Sequence, residues 1–86
     1  MDYKLSRHAE EEMKRRGIAM EFVDAVLNKP QQIVEEYGSK KSYQSQIDFG
    51  NGKIYLLRVV VDDTVRPKVV VTVYRTGKIQ KYWRKP

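Results

Sequence analysis

The sequence contains no cysteine and only one histidine. Without cysteine there are no disulfides and no thiolate metal sites, and a reducing compartment is compatible. A single histidine beside no cysteine also argues against zinc. Long hydrophobic runs are missing too. Runs such as Val69-Val70-Val71 are far too short to span a bilayer. The opening residues, Met1-Asp2-Tyr3-Lys4-Leu5, lack the apolar core of a signal peptide. A cytoplasmic protein with no membrane partner is therefore expected. There is no internal repeat, linker or low-complexity tract. The 86 residues allow one domain, residues 1–86, around one modest core.

Acidic residues are scarce in one half. Seven lie between Glu10 and Glu36, whereas from Ser39 onward only Asp48, Asp62 and Asp63 face eleven Lys and Arg. Arg75, Lys78, Lys81, Arg84 and Lys85 close the chain with no acid among them. The net charge of +6 is thus concentrated in the C-terminal half. Such a surface attracts polyanions, because neutralised phosphates release counterions. Solubility alone is the plainer use of the same charge.

The hydrophobic spacing predicts an α+β fold: two N-terminal helices packed on a four-stranded antiparallel sheet, with a short C-terminal segment. Ser6 caps a first helix over residues 7–16, and Gly17 ends it. Leu5, Ala9 and Met13 form its narrow apolar stripe. Glu10–Lys14, Glu11–Arg15 and Glu12–Arg16 are spaced as acid-before-base pairs. Phe22, Val23, Val26 and Leu27 give a second helix over 20–28, stopped by Lys29-Pro30. The period then changes to two. Strands are expected over 32–37, 41–49, 53–62 and 68–75, with Gly50-Asn51-Gly52 as a hairpin turn and Ile79 to Trp83 as a final segment. The third and fourth strands are apolar on both faces and belong at the sheet centre. Tyr55, Leu57, Val59 and Val61 oppose Ile54, Leu56, Arg58 and Val60. Val69, Val71 and Val73 oppose Val70, Thr72 and Tyr74. One face takes the helices; the C-terminal segment partly covers the other or leaves a groove.

Arg58 is the most informative residue. Each neighbour in Ile54-Tyr55-Leu56-Leu57-Arg58-Val59-Val60-Val61 favours burial, so the arginine must be paired or must line a cleft. Asp48, Glu35 or Glu36 across the sheet would pair it; an anion in a cleft is the other reading. His8 stands in the first turn of the first helix, where the dipole favours the neutral imidazole. There it either bonds Glu12 or serves as a general acid or base. Arg15 and Arg16 either complete the helix-end charge pattern or add a basic rim near His8. Basic residues interleaved with Tyr74, Tyr82 and Trp83 suit nucleic acid, with cations on phosphates and rings on bases. Trp83 is read first as a cover for the sheet. No carboxylate pair reads as a glycosidase or metal-phosphoesterase centre, no phosphate loop or supported serine nucleophile is present, and no metal or cofactor is expected.

Several motifs carry a resemblance over nearly the whole chain. Ser6-x-His8-Ala9, Met13-Lys14-x-Arg16-Gly17-Ile18 and Val26-Leu27-x-x-Pro30 resemble the start of a small bacterial domain family of unknown function. Val70-Val71-Thr72-Val73-Tyr74-Arg75-Thr76 and Lys81-Tyr82-Trp83 resemble its end. That family is similar in layout to the RelE/ParE/BrnT-type toxin superfamily. The resemblance implies a metal-independent endoribonuclease acting on RNA or on the ribosome, with an acidic antitoxin protein as a possible partner. It implies His8, Arg58, Arg75 and Tyr82 as catalytic residues, with Lys81 as a further phosphate contact; Arg15, Arg16, Lys78 and Arg84 are candidate RNA contacts by their charge and position. The alternatives are an RNA- or ribosome-binding module that does not cut, and a protein-binding domain.

Overall fold

A computed structural model describes residues 3–85; Met1, Asp2 and Pro86 lie outside the described residues. The chain runs β1 (Tyr3–Leu5), α1 (Arg7–Arg16), α2 (Met20–Asn28), β2 (Gln32–Glu35), β3 (Lys40–Asp48), β4 (Ile54–Asp62), β5 (Lys68–Thr76) and α3 (Ile79–Tyr82). The architecture is α+β. The sheet, however, has five strands and is mixed, in the order β1-β5-β4-β3-β2, where four antiparallel strands are expected from the spacing. The added strand is β1, which pairs parallel to β5. Leu5 therefore sits on a strand rather than on the first helix, although it still packs against the core.

Ser6 joins the two layers. Its backbone N–H donates to Val70 O at 3.0 Å, and its hydroxyl donates to Val71 O at 3.0 Å. The same Oγ accepts from Ala9 N at 3.0 Å, which caps one orphan donor of α1. At the other end Gly17 adopts φ 66°, ψ 38°, a left-handed conformation that costs glycine little. Ile18 N then bonds Met13 O at 2.9 Å, the six-to-one bond of a helix-ending Schellman turn. On the solvent side Arg15 and Arg16 both bond Glu12. Arg15 thus takes the i,i+3 partner instead of Glu11.

Ala9, Met13, Ile18, Val23, Val26 and Leu27 from the helical layer meet Leu57, Val59, Val61, Val70 and Val73 of the sheet. The Leu57, Val59 and Val61 face of β4 is therefore the one that takes the helices. On β5 the alternation breaks, because a bulge pairs Val60 with Thr72 but Val61 with Val70. Val71 is the extra residue, and Val70 and Val73 consequently share the helical face. Val70 was expected on the Tyr74 face. The strand over 32–37 ends at Glu35, where Glu36 N bonds Lys40 O to close the turn. The final segment is a single helical turn, α3.

Candidate functional site

The face of the sheet away from α1 and α2 is polar at its centre. The hairpin at Gly50-Asn51-Gly52 sets β3 against β4 so that Gln44 pairs with Arg58. The β4–β5 register then puts Tyr74 beside Arg58 on the other flank. Arg58 is 3% exposed, and its guanidinium is bonded on every nitrogen. Nε donates to Gln44 Oε1 at 2.8 Å, Nη1 to Tyr74 Oη at 2.6 Å, and Nη2 to Glu36 Oε2 at 3.1 Å. The Tyr82 ring lies 4.3 Å from its central carbon, a cation–π contact that covers one face. Of the three proposed acids, Glu36 is the partner. Asp48 instead accepts from Gly50 N and Gly52 N in the hairpin turn, and Glu35 is exposed on the outer strand. Burial pushes the Tyr74 phenol above its ordinary range, against the pull of the Arg58 guanidinium. Tyr74 therefore stays neutral and serves as an acceptor.

Two glutamines fasten the C-terminal strap over this centre. Gln44 Nε2 donates to Gln32 Oε1 at 2.8 Å and to Tyr82 O at 3.2 Å. Gln32 Nε2 donates to Arg84 O at 2.6 Å, and its Oε1 accepts from Arg84 N at 3.1 Å. The strap leaves a cleft of about 270 Å³, lined by Val34, Glu36, Arg58, Lys81, Tyr82, Trp83 and Arg84. Glu36 is partly exposed, with 30% of its side chain open to solvent. Trp83 is half-buried on the wall of the cleft. A second, more open cleft of about 460 Å³ borders Gln32, Ile33, Trp83, Arg84 and Lys85. None of its described lining residues has a carboxylate side chain.

The structure brings some of the expected residues together and separates others. Arg58, Tyr82, Lys81 and Arg84 share the cleft. His8 does not join them: it is exposed on α1, in the layer on the opposite side of the sheet. Arg15 and Arg16 lie on that helix too, paired with Glu12. Arg75 pairs with Leu57 on the helical face, where its guanidinium lies 4.7 Å from the Phe49 ring centroid and 5.2 Å from that of Tyr55. Lys78 is exposed on the turn into α3. The glutamines are the residues that sequence reasoning missed. The signal for Gln44 was available, since Gln44 and Arg58 each stand seven residues from Asn51 at the hairpin centre. A buried arginine then demands polar neighbours at the paired position. Among the described residues no cluster of His, Asp or Glu has metal-ligating geometry. No described helix is long and apolar enough to cross a membrane.

The chain belongs to the family described as Domain of unknown function (DUF4258), which it matches over residues 5–75. The matched span includes the capped α1, Glu36, Gln44, Arg58 and Tyr74, and ends before α3 and the strap that carries Tyr82. No curated protein and no solved structure matches the chain.

Proposed function

We propose that this protein is a toxin-type, metal-independent endoribonuclease, with its site in the Glu36–Arg58–Tyr82 cleft. One observation carries the reading: a carboxylate, a phenol and exposed cations converge on one cavity. The arrangement of two helices on a sheet whose other face is closed by a C-terminal segment also resembles the layout of the RelE/ParE/BrnT-type superfamily.

Cleavage without a metal uses the RNA 2′-hydroxyl as nucleophile. A base removes its proton, O2′ bonds to the neighbouring phosphorus, and the bond from phosphorus to O5′ breaks. The leaving oxygen must gain a proton. Glu36 is the carboxylate within the cleft that can accept the first proton, in place of His8 on the other layer. The Tyr82 hydroxyl can supply the second. Lys81 and Arg84, both exposed at the rim, stabilise the charge that builds on the phosphorane. Arg58 is too enclosed to be the main phosphate ligand. It fixes Glu36 by a charge-assisted bond and holds the Tyr82 ring.

A second reading has its own observation. Every nitrogen of Arg58 already has a protein partner, as in a purely structural arginine. The cleft would then bind RNA without cutting it. Incubation of single-stranded RNA with the protein in EDTA separates the two. The proposal expects 2′,3′-cyclic phosphate and 5′-hydroxyl ends. Intact RNA with salt-sensitive binding supports the binding module. Neither cleavage nor binding would sink both RNA readings and leave a protein partner.

A further inference from the structure

We infer that the ligand is single-stranded RNA bent around one end of the sheet, from the Glu36–Arg58 cleft to an aromatic shelf on the opposite face. This rests on the RNA reading above and names the substrate class for the same site.

The shelf lies on the helical face, at the end of the β3–β4 hairpin. Phe49 packs on Phe22 of α2, with ring centroids 4.8 Å apart, and Tyr55 meets the Phe49 edge at 6.0 Å. Two cations rest on these rings. The Arg75 guanidinium contacts both, and Lys53 Nζ stands 5.1 Å from the Tyr55 centroid. A ring face positions a cation without neutralising it. Among the described residues, neither Lys53 nor Arg75 is in an ion pair.

Chain geometry joins the shelf to the cleft. Arg75 faces the shelf, while the preceding residue, Tyr74, bonds Arg58 on the other side of the sheet. Beyond Arg75 the chain turns at Gly77 and returns over the cleft face as α3 and the strap. Arg75, Lys78, Lys81 and Arg84 thus recur every third residue along a path from one face to the other. No acidic residue follows Asp63, and none of these four is in an ion pair among the described residues. The result is a run of four cations leading from the shelf to the cleft, where Glu36 is the acidic neighbour, with aromatic rings at both ends, Tyr82 in the cleft and Phe49 and Tyr55 on the shelf.

The shape of the track selects the ligand. The molecule is only 19 Å across its thinnest dimension, so a backbone in contact with both faces must reverse direction over a short distance. A double helix is stiff over many times that length. A single strand bends freely and presents unpaired bases for stacking.

The test is fluorescence anisotropy with uncleavable 2′-O-methyl RNA. Single strands of about four and about twelve nucleotides bracket the span of one to both contact regions, within the site sizes seen for single-strand binders. The longer strand is expected to bind about tenfold more tightly or better, since each added stacked base and phosphate contributes. Lys53→Glu with Lys78→Glu, both at exposed positions, should remove most of that gain and weaken the short strand far less than the long one. Arg75→Gln provides an independent variant that preserves packing on the rings. Equal affinity for the two lengths would overturn the inference. So would an unchanged long-strand affinity in both variants, or a duplex bound as tightly as the single strand. Cleavage is scored separately on unmodified RNA with Glu36→Gln. Failure of the wild type to cut would count against the ribonuclease reading alone, whereas loss of the length effect would count against the track alone.

Discussion

Arg58 occupies a position that its neighbours would give to an aliphatic residue. It is tolerated there because Gln44, Tyr74 and Glu36 each accept one of its hydrogen bonds and Tyr82 covers its plane. A lysine at the same position keeps the charge but is a point donor, unable to reach three partners in the plane of a fork. Arg58→Lys should therefore cost about 2–4 kcal/mol, since it strands buried acceptors; urea denaturation would measure this. Glu36→Gln keeps an acceptor oxygen for Nη2 and should cost less than about 1.5 kcal/mol, the scale of one ordinary bond. The pair thus separates a folding role from a chemical one. The need for a partner at Arg58 was legible in the sequence, because a charge inside an apolar run admits few solutions. The choice of Glu36 over Glu35 was not. It depends on where β2 stops, and Glu36 lies one residue beyond the strand, where the closing turn directs its carboxylate inward.

At the scale of elements, the motif Ser6-x-His8-Ala9 acquires a physical meaning. Ser6 ties β5 to α1 through three bonds, and Ala9 is fully buried where the helix meets the sheet. His8, between them, points away from the core. Ser6→Ala removes both the cap and the link to Val71 O, and should lower stability by about 1–2 kcal/mol, read as a fall in the urea midpoint. The first two helices were legible in the sequence, since the Ser6 cap, the Pro30 stop and 3.6-residue spacing act locally, whereas the single turn α3 was read only as a final segment. Three features were not. β1 is only three residues long, with Tyr3 and Leu5 turned inward, too short for a periodic signal. Its parallel pairing with β5 is a long-range choice. The bulge at Val71 breaks the alternation inside an all-apolar stretch, where a shift of face leaves no trace in composition.

On the scale of the whole molecule, the charge asymmetry read from the sequence survives, but its placement on the two faces comes only with the fold. His8 and Arg75 were grouped with Arg58 by motif, yet both belong to the helical side of the sheet. Of the site residues expected from the sequence, Lys81, Tyr82 and Arg84 of the strap share the cleft with Arg58. The tie between β1 and α2 gives a pH dependence. Tyr3 Oη donates to Asp24 Oδ1, and burial together with that bond pushes the phenol from its ordinary 10.0 to about 12. A folded-state value above the unfolded one means the contribution is complete below pH 10 and is lost as pH rises toward 12. Wild-type stability should therefore fall more steeply than that of Tyr3→Phe between about pH 10 and pH 12, as urea midpoints across that range would show. At the acid end, bonds from Arg15 and then Arg16 hold Glu12 at about 2. That contribution is present above the ordinary carboxylate value and fades as pH falls toward 2.

The proposed ribonuclease reading places the chemistry on the cleft face and not on the helix that carries His8. The most direct measurement is the rate of single-stranded RNA cleavage in EDTA by wild type, Glu36→Gln and His8→Ala, each first shown to be folded. On that reading Glu36→Gln slows cleavage by about a hundredfold or more, the usual scale for loss of a general base, and His8→Ala cuts at the wild-type rate. The opposite pattern, with His8→Ala inactive and Glu36→Gln unimpaired, would contradict it.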